Sequence, residues 1–258
     1  MKTIFNLNSS LLSLAYYVFI LGSGKMWEDK TKAVTFSFDD GIRQDIRLIE
    51  ILNKYGLKAT FNLNSGLLGM GGALNRNERI VQFDRINASE IKTIYYGHEV
   101  AVHTLTHPNL TLLEEEEIIC QVEEDRKQLS NYCGYEVVGM AYPCGGENNN
   151  ARVAKIIQER TGIKYARTIT STKNYELQDN YYRFNPSVYY IENDFEAIVD
   201  NFLAFKTDKP QLLYIWGHSF ELDAEYISWD TFERICKKLS NKTDIFYGTN
   251  KEVLLGDI

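Results

Sequence analysis

The sequence predicts an α/β protein: a single domain of about seven βα units whose parallel strands form a sheet or barrel. Three observations carry this. From residue 32 onward, short β-rich runs alternate with amphipathic helical stretches, which is the pattern of repeated βα units. No Pro/Ser-rich linker and no internal repeat divides the chain. Its 258 residues, 44% of them hydrophobic, can bury the core of one α/β barrel.

The first strand is expected at 33–38, where Ala33, Val34 and Phe36 alternate with Thr35 and Ser37. A helix follows with Ile42, Ile46, Ile49 and Leu52 on one face, and Gly56 closes it as C-cap. Strand two covers 57–63. A glycine-rich loop at 69–72 leads to a helix near 88–96, stopped by Gly97, and then to a strand at 98–103. Thr111 as N-cap, with Glu114 three residues later, predicts a capping box at the start of a long helix. A strand at 136–142 runs into Pro143-Cys144-Gly145-Gly146, and a helix spans about 150–160. Strands at 164–169 and 182–190 come next, then a helix at 194–205 and a strand at 211–216 ending in Gly217-His218. A helix at 229–239 precedes a terminal strand near 244–248.

The formal charge of −7 comes partly from the acidic runs 114–117 and 123–125, which read as the solvated face of a helix. No basic stripe exists, which excludes nucleic acid as a partner. Cys120, Cys133, Cys144 and Cys236 form no Cys-x-x-Cys pair, so neither a zinc knuckle nor a redox motif is indicated. Residues 1–31 read as an N-terminal extension. Its apolar run at 11–22, after a single Lys2, has the form of a signal-peptide core or short anchor. Polar Asn6, Asn8, Ser9 and Ser10 precede that run, no Ala-x-Ala cleavage site follows, and Met26 offers another start. The expectation is an extension without a targeting role on a cytoplasmic monomer. Cell-envelope placement or membrane contact would follow only if 11–22 acts as signal or anchor.

The chemistry begins at Ser37-Phe38-Asp39-Asp40-Gly41. Two adjacent carboxylates at a strand end repel each other, and inside a protein they need a metal, an arginine or a proton to compensate them. A divalent ion would leave one Asp as ligand and the other free as base. Taken alone, Asp-Asp-Gly is also an ordinary turn. His103 and His107 follow another strand at a spacing that can bring two imidazoles to one ion. Position strengthens both readings. Asp39-Asp40, His103 with His107, Pro143-Cys144-Gly145 and His218 each lie just past the C-terminal end of a different predicted strand, and in a βα barrel those ends share one face. His98 opens a strand and reads as structural. Two His and one carboxylate supply three ligands and leave room for water and substrate, with His218 as acid partner to the free Asp.

In order, Ser-Phe-Asp-Asp-Gly, His-Thr-Leu-Thr-His, the Tyr-Pro-Cys-Gly turn and the late Trp-Gly-His resemble the motifs of carbohydrate esterase family 4, the polysaccharide deacetylases. The similarity covers roughly residues 32–250. It implies a deformed (β/α) barrel and a divalent metal, usually Zn²⁺ with Co²⁺, Ni²⁺ or Mn²⁺ as alternatives, held by Asp40, His103 and His107. In the same pattern Asp39 takes the general-base position, His218 the general acid, and the backbone N–H of Cys144 the oxyanion hole. The implied activity is removal of N-acetyl groups from an N-acetylglucosamine-containing glycan such as peptidoglycan or a chitin-like polymer. The alternatives are an O-acetyl esterase or cyclic-amide hydrolase on the same fold, and a non-catalytic glycan-binding barrel.

Two departures matter. The third motif of the family carries an arginine that pairs with the base, and Ala141 stands there in this chain. Arg167, at the end of the next strand, is the candidate replacement. Cys144 replaces the tyrosine after the proline, a change that leaves a backbone role open. The family's acidic fourth motif has no clear counterpart. Among 17 Tyr, 13 Phe and 3 Trp, the rings of Tyr142, Trp216 and Phe220 lie next to the motifs and are the candidate substrate contacts.

Overall fold

The computed structural model describes residues 26–256; the apolar run at 11–22 lies outside the described residues. In chain order the elements are β1 (Lys32–Asp39), α1 (Asp45–Lys54), β2 (Ala59–Leu63), β3 (Ala73–Arg76), β4 (Arg79–Gln82), α2 (Ile91–Ile94), β5 (Glu99–Val102), α3 (Glu115–Cys133) and β6 (Gly139–Ala141). They continue with α4 (Ala151–Arg160), β7 (Tyr165–Arg167), β8 (Val188–Tyr189), α5 (Phe195–Ala204), β9 (Gln211–Gly217), α6 (Phe220–Asp223), α7 (Trp229–Leu239), β10 (Ile245–Tyr247) and α8 (Asn250–Leu255).

Seven strands lie in the order β7-β6-β5-β2-β1-β9-β8, each pairing parallel. One edge of β1 is shared: β10 pairs its first half, Lys32 to Val34, and β2 its second half, Phe36 to Asp39. Residues 184–189 tie the two sheet edges together, because Phe184 bridges Arg167 and Val188 pairs with Ile215. The sheet therefore curls into a deformed (β/α) barrel, as the family resemblance implies.

The period-2 alternation of β1 decides what each face holds. Val34, Phe36 and Phe38 face the helices and join the main apolar core with Phe61 and Phe232 of α7. Thr35, Ser37 and Asp39 make the opposite set of contacts, all polar, with Asn250, Asn62 and Arg167. An apolar layer outside the strands and a polar interior inside them follow from this one alternation.

Several local expectations are corrected. The capping box of α3 is built by Glu114 and Glu117, three residues later than expected; Thr111 instead donates to Asn109, which caps a single 3-10 turn. The loop after 69–72 continues into the antiparallel hairpin β3–β4. Its residues are mostly exposed, so no buried face imposes an alternating pattern on them. The strand expected at 182–190 shortens to two residues after a 3-10 turn at Tyr181–Arg183. Asp125, read as solvated, is fully buried. It falls on the core stripe Ile118, Val122, Leu129 of α3 and accepts from the backbone N–H of Ser65 and of His103.

Candidate active site

Three loops at the C-terminal strand ends carry the site, and each bends through the left-handed region at a functional candidate. Asp40 (φ 80°), Thr104 (φ 68°), His107 (φ 63°) and Cys144 (φ 69°) are all non-glycine residues there. Such conformations cost on the order of 1–3 kcal/mol each and persist where surrounding contacts fix them. Gly41 (φ 62°) cannot be replaced, because a Cβ would stand 2.7 Å from Cγ of Leu63. The Asp-Asp-Gly sequence is thus a turn as well as a site.

Asp40, His103 and His107 offer ligand atoms that all lie within 4.8 Å of one another. Nε2 of His107 is 3.6 Å and Nε2 of His103 4.0 Å from Oδ1 of Asp40. The Nδ1 of His103 faces the Ala141 carbonyl at 2.9 Å, which makes it the protonated nitrogen and leaves Nε2 bare. Burial pushes His103 down to about 4, against the opposing pull of Asp39, so the ring is the neutral, ligating form. Oδ1 of Asp40 is buried without a hydrogen-bond partner. Nη2 of Arg85, 3.5 Å away, gives it an ion-pair neighbour but no directed bond. A cation between the bare Nε2 of His103, the imidazole of His107 and the orphaned carboxylate oxygen would satisfy that oxygen, so the donor set fits a divalent metal.

Asp39 is treated differently. Nη2 of Arg167 lies 2.5 Å from both its oxygens, and Nδ2 of Asn62 donates to Oδ1 at 2.8 Å. Arg167 is itself fixed, donating through Nε to Ser37 Oγ and through Nη1 to the Thr168 carbonyl. Burial pushes the Asp39 carboxyl up, but Arg167, aided by His103 and His218, holds it below the ordinary aspartate range. The structure thus brings Arg167 to the carboxylate that Ala141 cannot reach.

His218 stands beyond β9 with Nε2 4.0 Å from Oδ2 of Asp39 and of Asp40. Its other nitrogen faces Glu221, a residue sequence reasoning missed, at 3.2 Å. Cys144 turns its side chain aside: Sγ is 3.8 Å from Nδ1 of His107 and 3.5 Å from the His107 carbonyl. Its backbone N–H has no hydrogen-bond partner among the described residues.

The three candidate aromatic residues are all buried. Tyr142 is wholly buried and donates its hydroxyl to the Tyr182 carbonyl. Trp216 is buried between the ring of Tyr189, stacked at 4.1 Å, and the guanidinium of Arg167 at 4.6 Å. Phe220 packs with Ile42, Val81 and Ala224. All three rings are buried; adjacency to a motif along the chain does not set the side on which a ring emerges. All four cysteines are free.

A parallel (β/α) barrel with a carboxylate–histidine trio at its C-terminal mouth defines a class built for metal-assisted chemistry. Residues 28–166 match the family model "Polysaccharide deacetylase", more than half of the chain, and the protein belongs to that family. The matched span includes Asp39, Asp40, His103, His107 and Cys144, whereas Arg167, His218 and Glu221 lie beyond it. Over 150 residues the chain is 23% identical to the peptidoglycan-N-acetylglucosamine deacetylase PgdA of Listeria monocytogenes, covering 57% of this chain and 28% of PgdA. The match thus spans less than a third of these curated relatives.

Solved structures share the fold. The CE4 domain of a multidomain xylanase from the hindgut metagenome of Trinervitermes trinervoides is 19% identical with a TM-score of 0.55, covering 87% of this chain and 90% of that one. The family 4 carbohydrate esterase of Streptomyces lividans is 18% identical with a TM-score of 0.52, covering 85% and 93%. A CE4 family pseudoenzyme from Bacillus anthracis is 20% identical with a TM-score of 0.53, covering 88% and 66%. Since one neighbour is a pseudoenzyme, the fold by itself does not decide activity, which depends on the residues of the mouth.

Proposed function

We propose that this protein is a metal-dependent hydrolase that removes N-acetyl groups from an N-acetylglucosamine-containing glycan and releases acetate. The observation that carries the reading is the division of labour between the two aspartates: Asp40 keeps an orphaned oxygen beside two imidazoles, whereas both oxygens of Asp39 are engaged by Arg167 and one also by Asn62. Asp40, His103 and His107 would hold the ion, with Zn²⁺ the best match to the donor set and Co²⁺, Ni²⁺ or Mn²⁺ as alternatives. Bound there, it would supply carbonyl polarisation and acidify a water, the two things an acetamide resists most.

The chain's own groups account for the remaining proton traffic. Asp39, kept ionised by Arg167, accepts a proton from the attacking water. The free backbone N–H of Cys144 donates to the developing oxyanion. His218, with Nε2 turned toward the two aspartates, protonates the departing amine, so that the C–N bond breaks as a neutral leaving group forms. The products are acetate and a free amino sugar. Arg167 touches no reacting atom and acts by holding Asp39.

The test is acetate release from N-acetylglucosamine oligomers by chelator-stripped protein, before and after one equivalent of Zn²⁺. Turnover restored by zinc is the expected result. Zinc bound without turnover would overturn the acetamide reading, and the same protein on O-acetylated esters would then separate esterase from binding barrel.

A further inference from the structure

We propose that Arg85 is the resident counter-cation of Asp40: it compensates that carboxylate in the metal-free mouth, competes for it with an incoming ion, and so lowers the affinity of the mouth for a divalent metal. The proposal goes beyond the deacetylase reading and rests only on the part of it that makes Asp40 a metal ligand.

Backbone pairing delivers Arg85 to this place. The hairpin β3–β4 packs Leu74, Val81 and Phe83 against Phe220 and Ala224 of the turn after β9, and the chain leaving β4 then runs back along the Asp40-Gly41 turn. Arg43 N–H donates to the Asp84 carbonyl at 2.8 Å, Ile86 N–H to the Gly41 carbonyl at 2.9 Å and Arg85 N–H to the Met70 carbonyl at 2.9 Å. The Arg85 side chain consequently lies on the aspartate. Its Nε donates to the Asp40 carbonyl at 3.3 Å, while Nη2 stands 3.5 Å from Oδ1 of Asp40 and reaches Oδ1 of Asn64 at 3.5 Å.

Other arginines show how loosely this pair is made. Arg43 meets the two oxygens of Glu90 at 2.8 and 2.7 Å, and Arg167 meets both oxygens of Asp39 at 2.5 Å. Arg85 stands off, and Oδ1 of Asp40 stays without a hydrogen bond. Nη1 of Arg85 has no bond among the described residues, yet no Arg85 atom is among the buried groups lacking a partner, so its unused donors open to solvent. A guanidinium keeps its charge at every working pH. Asp40 is therefore compensated by charge alone, with no directed bond to break when a second cation takes the oxygen. The adjacent carboxylates are thus matched by two arginines, Asp39 in contact and Asp40 at a distance, and the mouth can form before its ion arrives. That ion must then bind beside a fixed positive charge, a repulsion that in a mouth open to water weakens its hold by about tenfold.

The experiment measures the Zn²⁺ dissociation constant at fixed pH, by competition with a chromophoric chelator, for the wild type, Arg85→Gln, Arg85→Met and Arg85→Lys. Both neutral variants should bind zinc about tenfold tighter than wild type, whereas Arg85→Lys, which keeps the charge, should stay within about threefold. The sign separates this role from a structural one, because an arginine that only held the Asp40 turn in shape would leave weaker zinc binding when removed. Neutral variants that match the wild type or bind more weakly overturn the proposal, and so does an Arg85→Lys variant that tightens along with them. A reading on the wild type alone stands behind the variants should they not fold: ¹⁵N NMR should show the Arg85 guanidinium protons exchanging faster once zinc is bound, and unchanged exchange also overturns the proposal. Zinc bound by all four proteins without acetate release would remove the deacetylase reading and leave this one to be decided by the dissociation constants. Zinc bound by none of them would remove Asp40 as a ligand, and this proposal with it.

Discussion

The two ends of the barrel bury carboxylates in opposite ways. At the closed end Glu99 accepts from Thr60 Oγ1 at 2.7 Å, Tyr165 hydroxyl at 2.8 Å and Lys251 N–H at 2.9 Å. Burial pushes it above the ordinary glutamate value, and these neutral donors only partly reverse that. At the mouth Asp39 meets a buried guanidinium, and Asp40 keeps an oxygen with no hydrogen bond at all. A carboxylate satisfied by neutral donors is scaffold. One left short beside two imidazoles is free to take a further partner.

The largest effects should come from breaking the mouth. Asp39→Asn should retain zinc, measured by metal analysis after gel filtration, while lowering kcat by about 10³-fold, within the range of general-base catalysis. His107→Ala should lose zinc and activity together. Equal zinc loss in the two variants would show that the base and the ligand have been exchanged between the two aspartates. Next comes Arg167→Leu, which strands a buried charge and should destabilise the fold by about 3–5 kcal/mol in urea titration. In that variant burial acts on Asp39 without its strongest counterweight, so the acid limb of kcat/KM should move to higher pH. A limb that stays in place would mean that Arg167 does not hold the base.

The closed end should behave otherwise. Glu99→Gln keeps the size of the side chain but converts one acceptor into a donor, and it should cost about 1–3 kcal/mol of stability. Zinc affinity and kcat should stay within twofold of wild type. A tenfold loss of turnover would erase the distinction between scaffold and site.

Much of the mouth was legible because barrel topology converts a sequence position into a place. Asp39-Asp40, His103 and His107 all follow β-rich runs, and strand ends of a βα barrel meet. Arg167 was legible on the same ground, since it closes the next strand. What escaped depends on direction within an element. Asp125 sits in an acidic run, yet its i−3, i−7 and i+4 neighbours Val122, Ile118 and Leu129 mark it as part of the buried stripe. Composition hid what periodicity would have shown. The burial of Tyr142, Trp216 and Phe220 escaped for the converse reason: their neighbours in sequence were informative, but the inward or outward sense of each ring depends on packing that no motif records. The hairpin β3–β4 left no signal because its residues bury so little.

Asp125 belongs to both ends of the comparison, being a scaffold carboxylate that supports His103, a proposed metal ligand, and it gives the most specific prediction. Its oxygens accept from Ser65 N–H at 2.6 Å and His103 N–H at 3.1 Å, and burial pushes it up to about 7. The folded state therefore holds its proton more tightly than the unfolded chain. Between about pH 4 and pH 7 the unfolded state has released that proton and the native state has not, so stability falls as pH rises. Asp45, also pushed up to about 7 by burial, acts in the same sense, whereas His98, pushed down to about 4, acts in the opposite one. A difference between two proteins cancels both. Asp125→Asn should be about 1 kcal/mol less stable than wild type at pH 5, because the amide can accept only one of the two N–H groups. By pH 7.5 the order should reverse, since the wild type loses about 1.4 kcal/mol for each pH unit between pH 5 and the raised pKa of Asp125 whereas the amide loses none. Urea titrations of both proteins at the two pH values measure it. A gap that stays constant would mean that Asp125 is already ionised at pH 5, with the two backbone N–H groups outweighing burial.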